Sequence, residues 1–159
     1  MSRIISIANH KGGVAKTTTA INLGAALVEL GRTVLLVDMD PQCNLTETLF
    51  SGDYSVSVYD AMLSGSCVPV LKVREGLDMV PGDKALLNAD IKLSEPEHRV
   101  GAQMLLRRAL APLEDRYDFI IIDTPPSRGI ITVNALAASD EVIIPTLSEI
   151  LLSAANTER

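Results

Sequence analysis

The apolar run 3-RIISIA-8 passes directly into 9-NHKGGVAKTTT-19, and this junction constrains the chain more than any other stretch. After it, small or apolar side chains recur at Ala20, Leu23, Gly24, Leu27 and Val28. That i, i+3, i+4, i+7, i+8 spacing is the stripe of a helix facing a core, and Gly31 is placed to end it. A second apolar run, 33-TVLLVD-38, shows no alternation, as expected of a strand covered on both faces. Strand, glycine turn, helix and strand in that order form a βαβ unit, which commits the chain to α/β architecture around a parallel sheet.

The later segments continue the alternation. Short helices are expected over 56-VSVYDAML-63 and 83-DKALLNADIKL-93, with a short strand at 77-LDMVP-81 between them. Glu95-Pro96-Glu97 breaks the pattern, and 100-VGAQMLLRRALAPL-113 resumes it as a helix. A buried strand, 118-DFIIID-123, a helix over 129-GIITVNALAAS-139 and a strand at 141-EVIIP-145 follow. The tail, 149-EILLSAANTER-159, reads as a helix that starts and is cut off. The expected fold is a doubly wound, mostly parallel sheet with helices on both faces, as one domain over 1–159 that is shortened at its C-terminal end. With 159 residues and 47% hydrophobic content the chain can bury a sizeable core. A net charge of −6 argues against coating DNA or anionic membrane by overall charge. No apolar run approaches the roughly 18 residues that span a bilayer. Cys43 and Cys67 lack C-x-x-C spacing and no signal segment is evident, so a reducing cytoplasm is expected.

Triphosphate binding needs inward backbone N–H groups, a helix N-terminus aimed at the anion, a lysine for the terminal phosphates and a hydroxyl for magnesium. Here Gly12 and Gly13 permit the turn, Lys16 opens the helix, and Thr17 and Thr18 supply hydroxyls. The ordinary pattern G-x-x-x-x-G-K-[ST] is not met, because His10 and Ala15 hold its glycine positions. Asp38 and Asp40 follow the second strand and Asp123 ends another, at the sheet edge where open α/β folds bind ligands. One such acid can hold a metal-bound water and another can orient the attacking water. Any one of them alone is more often a turn former. On the residues alone, Lys11 reads as a solvated loop charge, His10 and His98 as non-catalytic, Cys43 and Cys67 as buried or half-buried thiols, and Asn134 as a structural hydrogen-bonder.

Together, 11-KGGVAKTT-18, 38-DMDPQ-42 and 123-DTPPS-127 resemble the ParA/Soj family of deviant Walker-type partition ATPases, which are SIMIBI-class P-loop NTPases. The likeness continues through 58-VYDAML-63, 77-LDMVPGD-83 and 133-VNALAASDEVIIP-145 in the family's order. That family's loop is K-G-G-x-x-K-[ST], so the resemblance turns Lys11 into the signature lysine, which reaches the partner's nucleotide in an ATP-sandwiched homodimer. Gly12, Gly13, Val14 and Ala15 would complete the loop, Lys16 would meet the β- and γ-phosphates, Thr17 the Mg2+ and Thr18 a phosphate. Asp40 would orient the hydrolytic water, while Asp38 and Asp123 would organise the magnesium waters and the two switch segments. The resemblance thus implies a slow, magnesium-dependent ATPase with ATP as its nucleotide, stimulated by a ParB-like protein and acting in plasmid or chromosome partition. A cytoplasmic, nucleoid-associated setting without membrane follows, with non-specific DNA binding through the family's C-terminal third, which is missing from 1–159. Two other readings are a MinD-type positioning ATPase, against which 40-DPQ-42 and 125-PPS-127 stand, and a shortened, non-catalytic interaction module. Two departures matter: Ala15 stands where most members carry glycine, and its methyl is tolerable only if the backbone stays right-handed, with nucleotide binding expected to survive. Cys43 also stands where glycine is common.

Overall fold

The computed structural model describes residues 1–65, 67–93, 95 and 100–147. Its sheet has six strands among these residues: β1 (Arg3–Ile7), β2 (Val34–Asp38), β3 (Leu71–Arg74), β4 (Leu77–Val80), β5 (Phe119–Asp123) and β6 (Glu141–Ile143). They lie in the order β3-β4-β2-β5-β1-β6, and only the β3–β4 pair is antiparallel. The helices are α1 (Lys16–Glu29), α2 (Asn44–Leu49), α3 (Val58–Ser64), α4 (Ala89–Lys92), α5 (Leu105–Leu110) and α6 (Ile130–Ala138).

The unbroken apolar strands have the expected cause. Successive side chains point to opposite faces, so Leu35, Val37, Ile120 and Ile122 enter a core with α3, α5 and α6. Val34, Leu36, Ile5, Ile7 and Ile121 enter a second core beneath α1 and α2. A strand serving two cores has no polar face, which is why β2 is buried at every position. Helix α1 lies close because Gly24 faces Leu36: a Cβ there would come within 2.9 Å of Leu36 Cδ2.

Several expectations need correction. The stretch 71–74 forms β3, paired with β4 in a hairpin, and was not expected; its alternating exposure marks a one-sided edge strand. Segment 83–93 divides into a 3₁₀ turn, Lys84–Asn88, and the single turn of α4. Segment 100–113 likewise divides into 3₁₀, α and 3₁₀ pieces, with Pro112 opening the last, since proline cannot donate to a continuing helix. Helix α2 was also not expected. Cys67 is exposed rather than buried or half-buried. Asn134 is the structural hydrogen-bonder expected: its Oδ1 accepts from Leu106 N–H, and its Nδ2 donates to the carbonyls of Ala102 and Ile130. The break at Pro96-Glu97, His98 and the helical tail over 149–159 lie outside the described residues. Along the β6 edge, Val133, Leu136, Val142, Ile144 and Leu147 form an exposed apolar strip.

Candidate functional site

Between β1 and α1 the chain makes a loop fastened at its base by Asn9. The Asn9 Oδ1 accepts from Lys11 N–H at 3.0 Å and its Nδ2 donates to Pro145 O at 2.8 Å, tying the loop to the segment after β6. Gly13 has φ 71° and Ala15 has φ 62°, both left-handed. The right-handed backbone that would carry the Ala15 methyl without strain is therefore not found. Ala15 is the N-cap of α1, and the step from loop into helix requires a left-handed residue at that point. Its methyl is exposed, so the strain is local to its own backbone and costs about 1 to 2 kcal/mol. Cys43 repeats the device as the N-cap of α2, with φ 54°. At both positions the family's glycine was itself the signal for positive φ.

No side chain caps the N-terminus of α1, which leaves its first amides open to an anion. In front of it lies a cleft of about 310 Å³, lined by Gly12, Gly13, Val14, Ala15, Lys16, Thr17 and Thr18 from the loop side and by Asp40, Gln42, Asn44 and Pro126 opposite. Sequence reasoning placed no role on Gln42, Asn44 or Pro126, although Gln42 and Pro126 fall inside the motifs quoted for their acids. Lys16 is buried, and its ammonium donates to Lys11 O at 3.3 Å. Lys11 is exposed and outside the lining. His10 is exposed too, and the Cys43 thiol, pushed up to about 11 mainly by burial and then by nearby carboxylates, stays protonated and unreactive.

The acids separate into three environments. Asp40 reaches the cleft, and its Oδ1 accepts from Gln42 N–H at 2.9 Å. Asp38 is fully buried and committed to protein donors, accepting from the amides of Asp40 and Thr46 and from the Thr46 hydroxyl. Burial raises its carboxyl above the usual range against those hydrogen bonds. Asp123 is equally buried; its Oδ2 accepts from the Thr17 hydroxyl at 2.6 Å, while Oδ1 has no partner. A buried carboxylate oxygen without a donor is costly, and a cation satisfies it directly or through a bound water. Among the described residues no three His, Cys, Asp or Glu side chains could hold a metal together. Thr17 and Asp123 therefore fit a magnesium ion whose remaining ligands are phosphate and water, the usual way that ion is held.

Fold and loop together define the class, a doubly wound P-loop NTPase fold. A family model described as AAA domain matches residues 2–155. The sporulation initiation inhibitor protein Soj of Bacillus subtilis is 44% identical over 154 residues, covering 94% of this chain and 60% of its own length. Cobyrinic acid a,c-diamide synthase from Mycobacterium smegmatis, solved with bound ADP and magnesium, superposes with a TM-score of 0.86 at 41% identity, over 97% of this chain and 65% of that one. A plasmid partition protein from Borrelia burgdorferi superposes with a TM-score of 0.84 at 32% identity, over 97% and 70%. The chain belongs to the ParA/Soj family of SIMIBI-class P-loop NTPases. It spans about half to three fifths of the length of the curated relatives it matches. No helix among the described residues is long and apolar enough to cross a membrane.

Ala15→Gly relieves the left-handed strain, and after allowing for glycine's extra freedom in the unfolded chain it should stabilise the protein by roughly 0.5 to 1 kcal/mol. Urea unfolding measures this, and an unchanged or lower midpoint contradicts it. Burial, opposed by the Thr17 hydrogen bond, pushes the Asp123 carboxyl up from its ordinary 3.8 to about 7. The unfolded chain gives up this proton near 3.8 and the folded one near 7, so the stability Asp123 contributes is full below 3.8 and lost as pH rises through 7. Without metal or nucleotide, the thermal midpoint of Asp123→Asn should fall less across this range than the parent's; parallel curves would exclude Asp123 as the source.

Proposed function

We propose that this protein is a magnesium-dependent ATPase that pairs with a second copy when ATP is bound and serves plasmid or chromosome partition. The observation that carries this reading is the shared cleft. The loop over residues 12–18 and the Asp40 carboxylate line it from opposite sides, next to the Thr17–Asp123 pair with its unpartnered oxygen. The α1 amides and the Lys16 ammonium hold the terminal phosphates, as charge and position favour. Thr17 and Asp123 hold the metal, which when bound neutralises phosphate charge that these few donors leave uncompensated. Asp40, steadied by the Gln42 amide, orients a water toward the terminal phosphate. Thr18 contributes a phosphate contact, and Lys11, which does not line the chain's own cleft, meets the nucleotide of the second copy.

Family membership and named relatives such as the Borrelia burgdorferi plasmid partition protein support the partition role. In this reading residues 1–159 are one nucleotide-binding domain, a shortened version of the relatives', working in the cytoplasm at the nucleoid. A ParB-like protein stimulates turnover, and the protein binds DNA without sequence preference. Among the described residues no arginine lines the cleft, and in this reading intrinsic hydrolysis is slow.

Three variants test the assignment. Lys16→Ala should abolish ATP binding, Lys11→Ala should retain binding but lose ATP-dependent dimerisation, and Asp40→Ala should dimerise yet lose about a hundredfold or more in hydrolysis. Nucleotide titration, sedimentation and phosphate release read these out in turn. A parent chain that binds no nucleotide ends the ATPase reading in favour of an interaction module, and a Lys11→Ala dimer equal to the parent's removes the cross-subunit role.

A further inference from the structure

Beneath the cleft, Thr46 occupies a position that none of the loop motifs includes. It lies in the first turn of α2 and is 2% exposed. Its hydroxyl donates to Asp38 Oδ2 at 2.7 Å and accepts from Gly82 N–H at 3.0 Å, while its own amide donates to the same Oδ2 at 2.9 Å. A hydroxyl that donates and accepts at once is fixed in rotation. The other Asp38 oxygen accepts from Asp40 N–H at 3.1 Å. A continuous run of hydrogen bonds therefore leads from the end of β4, through Thr46 and Asp38, to the backbone of Asp40. Gly82 closes tightly over the junction, since a Cβ there would stand 3.0 Å from Asp38 Cγ, and the Tyr54 hydroxyl donates to Gly82 O. Every hydrogen bond of Thr46 goes to Asp38, to Gly82 or within α2, and none to the loop over residues 12–18.

We infer that Thr46 is a positioning residue for hydrolysis: acting through Asp38, it holds Asp40 at the height where its carboxylate can orient water. Asp38 then acts as an internal post for the segment 38–46, with its oxygens turned to protein donors, and the metal falls to Thr17 and Asp123. This inference rests on the ATPase reading. Removing the hydroxyl leaves Gly82 N–H unpaired and Asp38 Oδ2 short of a donor, so the segment carrying Asp40 loses its anchor to β4. The phosphate loop keeps its own contacts, and the expected signature is a loss in kcat without a loss in affinity.

The test compares the parent with Thr46→Val, Thr46→Ser and Asp40→Ala in steady-state ATP hydrolysis and in equilibrium ATP binding. Thr46→Val should lower kcat by about tenfold, the worth of a hydrogen bond to a charged group, with ATP affinity within about twofold of the parent. Thr46→Ser, which keeps the hydroxyl, should restore kcat to within about threefold. If the valine variant does not fold, Thr46→Ala against Thr46→Ser isolates the hydroxyl in the same way. Equal kcat with and without the hydroxyl, while Asp40→Ala is inactive, overturns the inference and leaves the ATPase reading standing. Serine no better than valine or alanine assigns the site to packing, and affinity falling in step with kcat assigns it to phosphate binding; either overturns the inference. A parent that does not hydrolyse ATP overturns the ATPase reading itself, whereas Asp40→Ala as active as a hydrolysing parent leaves that reading standing and overturns the inference.

Discussion

Asp38 and Asp123 stand opposite each other in the register of β2 and β5, both fully buried, and the arrangement of the whole upper sheet edge answers to that pair. Two carboxylates in adjacent central strands repel each other and have lost their water, so each needs compensation from the chain around it. Asp38 obtains it internally, from three donors supplied by the segment that follows β2. Asp123 obtains only one, the Thr17 hydroxyl, and keeps an oxygen with no partner. The first solution fixes a segment; the second leaves a demand for positive charge beside a loop built to hold anions. In the proposed function this asymmetry separates scaffold from site.

The loop meets that demand at a structural cost. Its turn into α1 requires a left-handed residue, and the chain supplies alanine rather than glycine. A second left-handed non-glycine, Cys43, begins α2 on the other side of the cleft. Such strain persists only where the surroundings over-determine it; Ala15 lines the cleft, and Cys43 lies buried between the lining residues Gln42 and Asn44. The two walls are also joined differently. The loop wall is tied to Pro145 by Asn9, whereas the Asp40 wall is tied to β4 by Thr46 and Gly82.

Much of this was legible in the sequence, for identifiable reasons. β1, β2 and β5 are largely apolar runs because each serves two cores, and β2 and β5 each end in an aspartate. The K-G-G-x-x-K-T spacing marked the loop even without the ordinary glycines. What the sequence concealed depends on context. β3 is an exposed edge hairpin whose alternation is only four residues long, and α2 is a six-residue helix begun by a left-handed cysteine. That Asp38 is met by three protein donors and Asp123 by one could not be read from two strand-end aspartates of the same type, since it is decided by Asp40 and Thr46 after the first and by Thr17 at the start of α1. The left-handed conformation of Ala15 is likewise set by the turn into α1 and not by the residue type.

The central claim is that the unpartnered oxygen of Asp123, with Thr17, makes a place for magnesium that completes the phosphate cleft. Calorimetric titration of ATP into the parent and into Asp123→Asn, each with magnesium and with chelator, tests it most directly. The parent should bind ATP about tenfold or more tightly with magnesium, and the variant should lose most of that difference. Equal affinities with and without magnesium in the parent, or a magnesium effect undiminished in the variant, would contradict the account.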